Sequence, residues 1–132
     1  MTVPTTALAP APVSLGDDVE TLLDSLTGFH PGTDLIVAGL RLLATSELTA
    51  DQTQSVLAVL GGDYRAEEDL LAAVTAVVLR LTDPATNRAL RPLPGGIQRL
   101  VAELGRDYAD EDRTNYAPRY LLAETSALIY GA

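Results

Sequence analysis

From Leu70 to Leu81 the chain reads LLAAVTAVVLRL, in which Leu70, Val74, Val77, Val78 and Leu81 recur at helical spacing. Such a stretch needs one face of a helix covered. Asp83-Pro84 ends it, because the residue before a proline is steered away from helical backbone. Elsewhere the β-branched residues also fall inside helical periods, and no alternating apolar and polar run is long enough to require a sheet. The expected fold is all-α.

Punctuation by Gly, Pro and capping residues divides the rest. Asp17 or Asp18 is placed to cap a first helix through Leu26, with Val19, Leu22, Leu23 and Leu26 on one side and Gly28, Pro31 and Gly32 after it. Thr33 or Asp34 is expected to cap a second helix, Leu35 to Thr45, whose apolar residues surround it except at Arg41, as in a helix enclosed by others. Thr49 and Gln52 have capping-box spacing for a third helix, which carries Val56, Leu57, Val59 and Leu60 and stops at Gly61-Gly62. Glu67, Glu68 and Asp69 fall in the first turn of the Leu70 helix, where carboxylates interact favourably with the positive end of the helix dipole. After Pro92, Pro94, Gly95 and Gly96, a fifth helix is marked by Ile97, Leu100, Val101, Leu104 and Tyr108. A last one starts near Pro118, a residue suited to a first helical turn, and runs to about Tyr130.

Short connections favour antiparallel neighbours. The expectation is a compact single-domain helical bundle or orthogonal array of about six helices over residues 17–132, with Leu40, Val74, Val77 and Leu100 in one core. Residues 1–16 hold no charge and three prolines, which suits a flexible or disordered Pro/Ala/Thr-rich arm.

Composition removes several kinds of chemistry. With no cysteine there is no disulfide, thiolate metal site or thiol nucleophile. Eighteen acids against nine basic residues give a net charge of −9, which opposes general affinity for nucleic acid or anionic membrane. All nine basic residues are arginine, a bias of the kind a GC-rich bacterial genome produces. No charged n-region precedes an apolar stretch, and the longest apolar runs fall short of the roughly 20 residues of a membrane span. A cytoplasmic location with no membrane contact is the expectation.

No motif assigns a catalytic residue, cofactor or metal. His30 stands in the turn sequence Phe29-His30-Pro31-Gly32 without a cysteine or second histidine, and reads as a turn residue rather than a base. Glu103, Asp107, Asp110 and Glu111 share one side of the fifth helix. They lack the acid and glycine alternation of a calcium loop and read as a solvated face. Arg88, Arg91 and Arg99 flank the Pro92 to Gly96 loop in a stretch without acids, a place where a helix start and guanidinium groups would receive an anion. The glycine spacing and lysine of a P-loop are absent. Pairing of these arginines with the surplus acids is the competing reading.

The last helix divides into two apolar sides, Tyr120, Ala123, Ala127 and Tyr130 on one, and Leu121, Leu122, Thr125, Leu128 and Ile129 on the other. Either the domain encloses both, or the tyrosine-alanine side meets another chain, since tyrosine is enriched in interfaces and small residues allow close helix approach. The expected function is a non-enzymatic protein-protein interaction module, regulatory, adaptor or assembly in kind, with a protein partner or a homo-oligomer and no direct nucleic acid contact. Two alternatives stand beside it: an acidic mimic of nucleic acid that occupies a DNA-binding partner, and an enzyme whose site assembles from scattered Arg, Asp and Tyr residues.

Overall fold

The computed structural model describes residues 15–63 and 67–131. The expected arm lies outside the described residues but for Leu15 and Gly16. Among the described residues there are six α-helices, one 3-10 turn and no strand: α1 Asp17–Ser25, α2 Pro31–Thr45, α3 Ala50–Gly61, α4 Leu70–Thr82, the turn Arg88–Leu90, α5 Gly95–Thr114 and α6 Ala117–Gly131. The chain divides into two units, Met1–Leu48 and Thr49–Ala132.

In the first unit, Gly16 precedes α1 at φ 87°, and neither Asp17 nor Asp18 is the N-cap that the sequence suggested. The α1 to α2 turn passes through Gly28 at φ 95°, a left-handed conformation that a side chain would oppose, and the Gly28 N–H donates to Asp34 Oδ1 at 2.8 Å. The second helix begins earlier than the expected Thr33 or Asp34 cap. Its N-cap is His30, whose Nδ1 accepts from the Gly32 N–H at 2.8 Å, while Pro31 fills the first helical position, where a missing donor costs nothing. Leu23 and Val37 are the buried apolar side chains here. Arg41, the one charge on α2 beyond its first turn, donates to Glu20 at 2.5 Å and to Asp24 at 3.1 Å, tying α2 to α1. Leu35, Ile36 and Leu42 are exposed, so α2 is not the enclosed helix its composition suggested.

In the second unit α3 packs on α6, α4 on α5, and α3 on α4. The expected capping box is present: Gln52 N–H donates to Thr49 Oγ1 at 3.1 Å, and Thr49 N–H to Gln52 Oε1 at 2.9 Å. Gly61 is buried where α3 ends, and a Cβ there would lie 2.9 Å from Leu71 Cδ1 and 3.3 Å from Leu122 Cδ1, so glycine allows α4 and α6 to close on the end of α3. Along α4 and α5, Thr82 stands against Gly105, and Thr75 donates to Asp112 Oδ2 at 3.0 Å. Residue numbers fall on α5 as they rise on α4, so the pair is antiparallel. Gly105 and Ala109 supply the buried side of α5, and a Cβ on Gly105 would approach Thr82 Cβ to 2.8 Å. Small residues thus set a close helix separation.

The expected core is corrected by this arrangement. Leu40, Val74, Val77 and Leu100 are all exposed, the last three by about half. Where α4 and α5 approach through threonine, glycine and alanine, their larger side chains are left on the flank of the contact instead of within it.

Candidate functional site

The most buried large side chain among the described residues is Arg119, in the first turn of α6. Its Nε and Nη2 donate to Asp69 Oδ2 and Oδ1 at 2.7 and 3.0 Å, a bidentate pair. Nη1 donates to the Asp112 carbonyl and to its Oδ1 at 2.9 and 3.2 Å, and Nη2 also reaches Asp112 Oδ2 at 3.2 Å. These five hydrogen bonds match the five donors of a guanidinium. Asp69 serves twice, since its Oδ1 also caps α4 by accepting from the Ala72 N–H at 2.8 Å. It is therefore the N-cap and not, as expected, part of the first turn. The hydrogen bond from Arg119 holds the Asp69 carboxyl below its ordinary range, and the same bond raises Arg119. One cation thus joins the start of α4, the end of α5 and the start of α6.

That junction fixes how α6 is turned. Arg119 and Ser126 are buried, Leu122, Ala123 and Ile129 are half-buried beside them, and Ser126 Oγ donates to the Gln54 carbonyl of α3 at 3.4 Å. Of the residues assigned to a contact side, Tyr120, Ala127 and Tyr130 are exposed, whereas Ala123 belongs to the covered face. Leu121 and Leu128, from the other side, are exposed too. The outward surface of α6 is therefore Tyr120, Leu121, Glu124, Thr125, Ala127 and Leu128, with Tyr130 at its end.

The three loop arginines occupy separate local settings. Arg91 braces its own loop, Nε donating to the Pro84 carbonyl at 3.0 Å and Nη2 to that of Ala85 at 3.2 Å. Arg99 lies over Gly95 and Gly96 at the start of α5, and Arg88 is exposed in the 3-10 turn. On α5 the acidic side is solvated, with Asp110 paired to Arg113 at 2.8 Å. Among the described residues no cluster of three or more His, Asp or Glu is arranged to hold a metal ion. No helix among the described residues is long and apolar enough to cross a membrane. An open cleft of about 480 Å³ lies between α1 and α2, lined by Asp24, Asp34, Val37 and Arg41 among others, and its Arg41 is already engaged by Glu20 and Asp24.

Compared with protein-family models, curated proteins and solved structures, the chain gives no match.

Sequence reasoning missed the Arg119 junction. A signal for it existed, because Arg119, Leu122, Ala123, Ser126 and Ile129 share one helical side, and an arginine in that period needs a buried partner. The identity of that partner lay 50 residues away.

Proposed function

We propose that this chain is a helical protein-protein interaction module that binds its partner through the outward surface of α6. The observation that carries the reading is that α6 is held in place by Arg119 and by its α3 contact while Tyr120, Leu121, Leu128 and Tyr130 remain exposed, Leu128 and Tyr130 by more than three quarters. Large apolar and aromatic side chains exposed together on one helix side mark places of association. Tyrosines with small neighbours suit such a contact, because a tyrosine gives a broad apolar ring and a polar tip at low entropic cost. Glu124 lies at the middle of this surface, between Tyr120, Leu121 and Leu128, so the partner has to meet it with a basic or hydrogen-bonding group.

Ala127→Arg tests it. The alanine is exposed, so the arginine adds bulk and charge at the contact without entering the domain. The expected result is a thermal midpoint like the parent's together with loss of a partner that the parent retains in affinity capture. A variant that melts well below the parent would show that this side belongs to the chain's own packing, and equal capture by both proteins would remove α6 from the contact.

A further inference from the structure

We infer that a second copy of this chain packs on the exposed apolar side of the α4-α5 pair, a surface separate from that of α6. Leu70, Val74, Val77 and Leu81 form a stripe along α4, and Ile97, Leu100, Leu104 and Tyr108 form one along α5. At about 100° per residue, the α4 stripe lies about a third of a turn from the side bearing Thr75 and Thr82, and the α5 stripe about a quarter turn from the side bearing Gly105 and Asp112. Both displacements run in the same rotational sense. Because the helices are antiparallel, the two stripes fall on the same side of the pair.

The area is that of a dimer half. The eight side chains are 42% to 59% exposed. Together they present roughly 700 Å² of apolar surface, close to the about 800 Å² that each partner contributes to a specific interface and above the patch usual on a monomer.

Charge decides for a copy of the same chain. None of the eight is charged, so two chains of net charge −9 meet here without opposing carboxylates. The flanks differ in sign: Arg80 is the single charge on α4, while Glu103 and Asp107 lie along α5 beyond its stripe and Glu111 follows the stripe one turn past Tyr108. In the register set by Thr75 with Asp112 and Thr82 with Gly105, Arg80 is level with Asp107. A two-fold axis parallel to the helices lays α4 of one copy over α5 of the other and preserves that level. Each Arg80 then borders the Asp107 of the other copy, twice in one closed interface. The alternative axis, across the helices, would place α4 on α4 and leave the acids facing each other.

Sedimentation equilibrium over a range of chain concentrations tests the inference on the full chain. The parent is expected to be a dimer, Leu104→Glu to raise the dissociation constant at least a hundredfold, and Arg80→Glu to raise it about tenfold. Combining Arg80→Glu with Asp107→Arg should restore most of the loss, a rescue that a different partner or a different axis would not give. Arg80 and Asp107 are both exposed, so these variants stay informative even where Leu104→Glu fails to fold. A parent that remains monomeric at every concentration overturns the inference, as does a dimer that ignores Leu104→Glu and the charge changes but is abolished by Ala127→Arg. The α6 reading fails separately, through capture that Ala127→Arg does not weaken.

Discussion

Replacing Arg119 by Met should destabilise the fold more than any other single change to the charged residues. Methionine keeps an unbranched stem of similar reach, so the perturbation is the loss of the guanidinium and its five hydrogen bonds rather than of packing. What remains is the fully covered Asp69 carboxylate, still accepting from the Ala72 and Asp63 N–H groups but without a counter-charge. Removing one partner of a buried ion pair costs about 3–5 kcal/mol, because the other charge is left in a low-dielectric site. Against a typical domain stability of about 5–15 kcal/mol this is a large fraction. With a urea slope of about 1–3 kcal/mol per molar, the unfolding midpoint should fall by about 2 M. Adding Asp69→Asn should recover part of the loss, since asparagine still caps α4 while the stranded charge disappears. An Arg119→Met midpoint equal to the parent's at the same slope would refute the reasoning, for it would mean that Asp69 reaches water and the junction is not the tie between α4, α5 and α6.

Gly105→Ala should destabilise by about 1–3 kcal/mol despite the better helix propensity of alanine, because the new Cβ meets a Thr82 side chain whose hydroxyl is bonded to the Val78 carbonyl at 2.8 Å; Thr82→Ala should relieve part of this in denaturant titration. The Asp69 pair also sets an acid dependence. Its carboxyl is lowered in the folded state, so its contribution is present above the unfolded value of about 3.9 and is lost as pH falls through the lower folded value. The stability difference between the parent and Asp69→Asn should therefore shrink as pH drops from about 6 to 2, and a difference constant across that range would contradict the assignment.

Local signals were legible and long-range ones were not. The Thr49 and Gln52 cap depends on two residues three apart, so its geometry follows from sequence once the helix forms. The α4 stop at Asp83-Pro84 follows in the same way from the restriction that proline places on its neighbour. At α2, Pro31 and Gly32 read as the end of the preceding turn, yet a proline is equally suited to open a helix, and His30 could cap it through a ring nitrogen. Apolar periodicity was correct about which residues form helices. It placed the wrong side of α4 and α5 inward, because the inward side depends on how closely two helices approach. At Thr82 and Gly105 the approach is close, and Val74, Val77 and Leu100 are left outside it.

The same geometry links stability to the proposed contacts. Among the described residues of the second unit the deepest side chains are Arg119, Asp69, Ala109, Thr75 and Ser126, while Leu70, Val74, Val77, Leu81, Leu100 and Leu104 on α4 and α5 are about half-exposed. A buried ionic junction adds little net stability, since desolvation offsets most of its Coulombic gain, and here its five hydrogen bonds join the ends of three helices. The polar centre therefore explains the orientation of α4, α5 and α6 without explaining why so much apolar surface is present. That surface contributes fully only when it leaves water, and covering roughly 700 Å² per chain at about 25 cal/mol per Å² is a large gross term against the freedom lost on association. A partner that binds only the folded chain then stabilises it by mass action. In the proposed dimer the labour would be divided by position: the Arg119 junction sets the geometry of α4, α5 and α6, and the apolar stripes that the close approach of Thr82 and Gly105 leaves outside would supply the free energy of assembly.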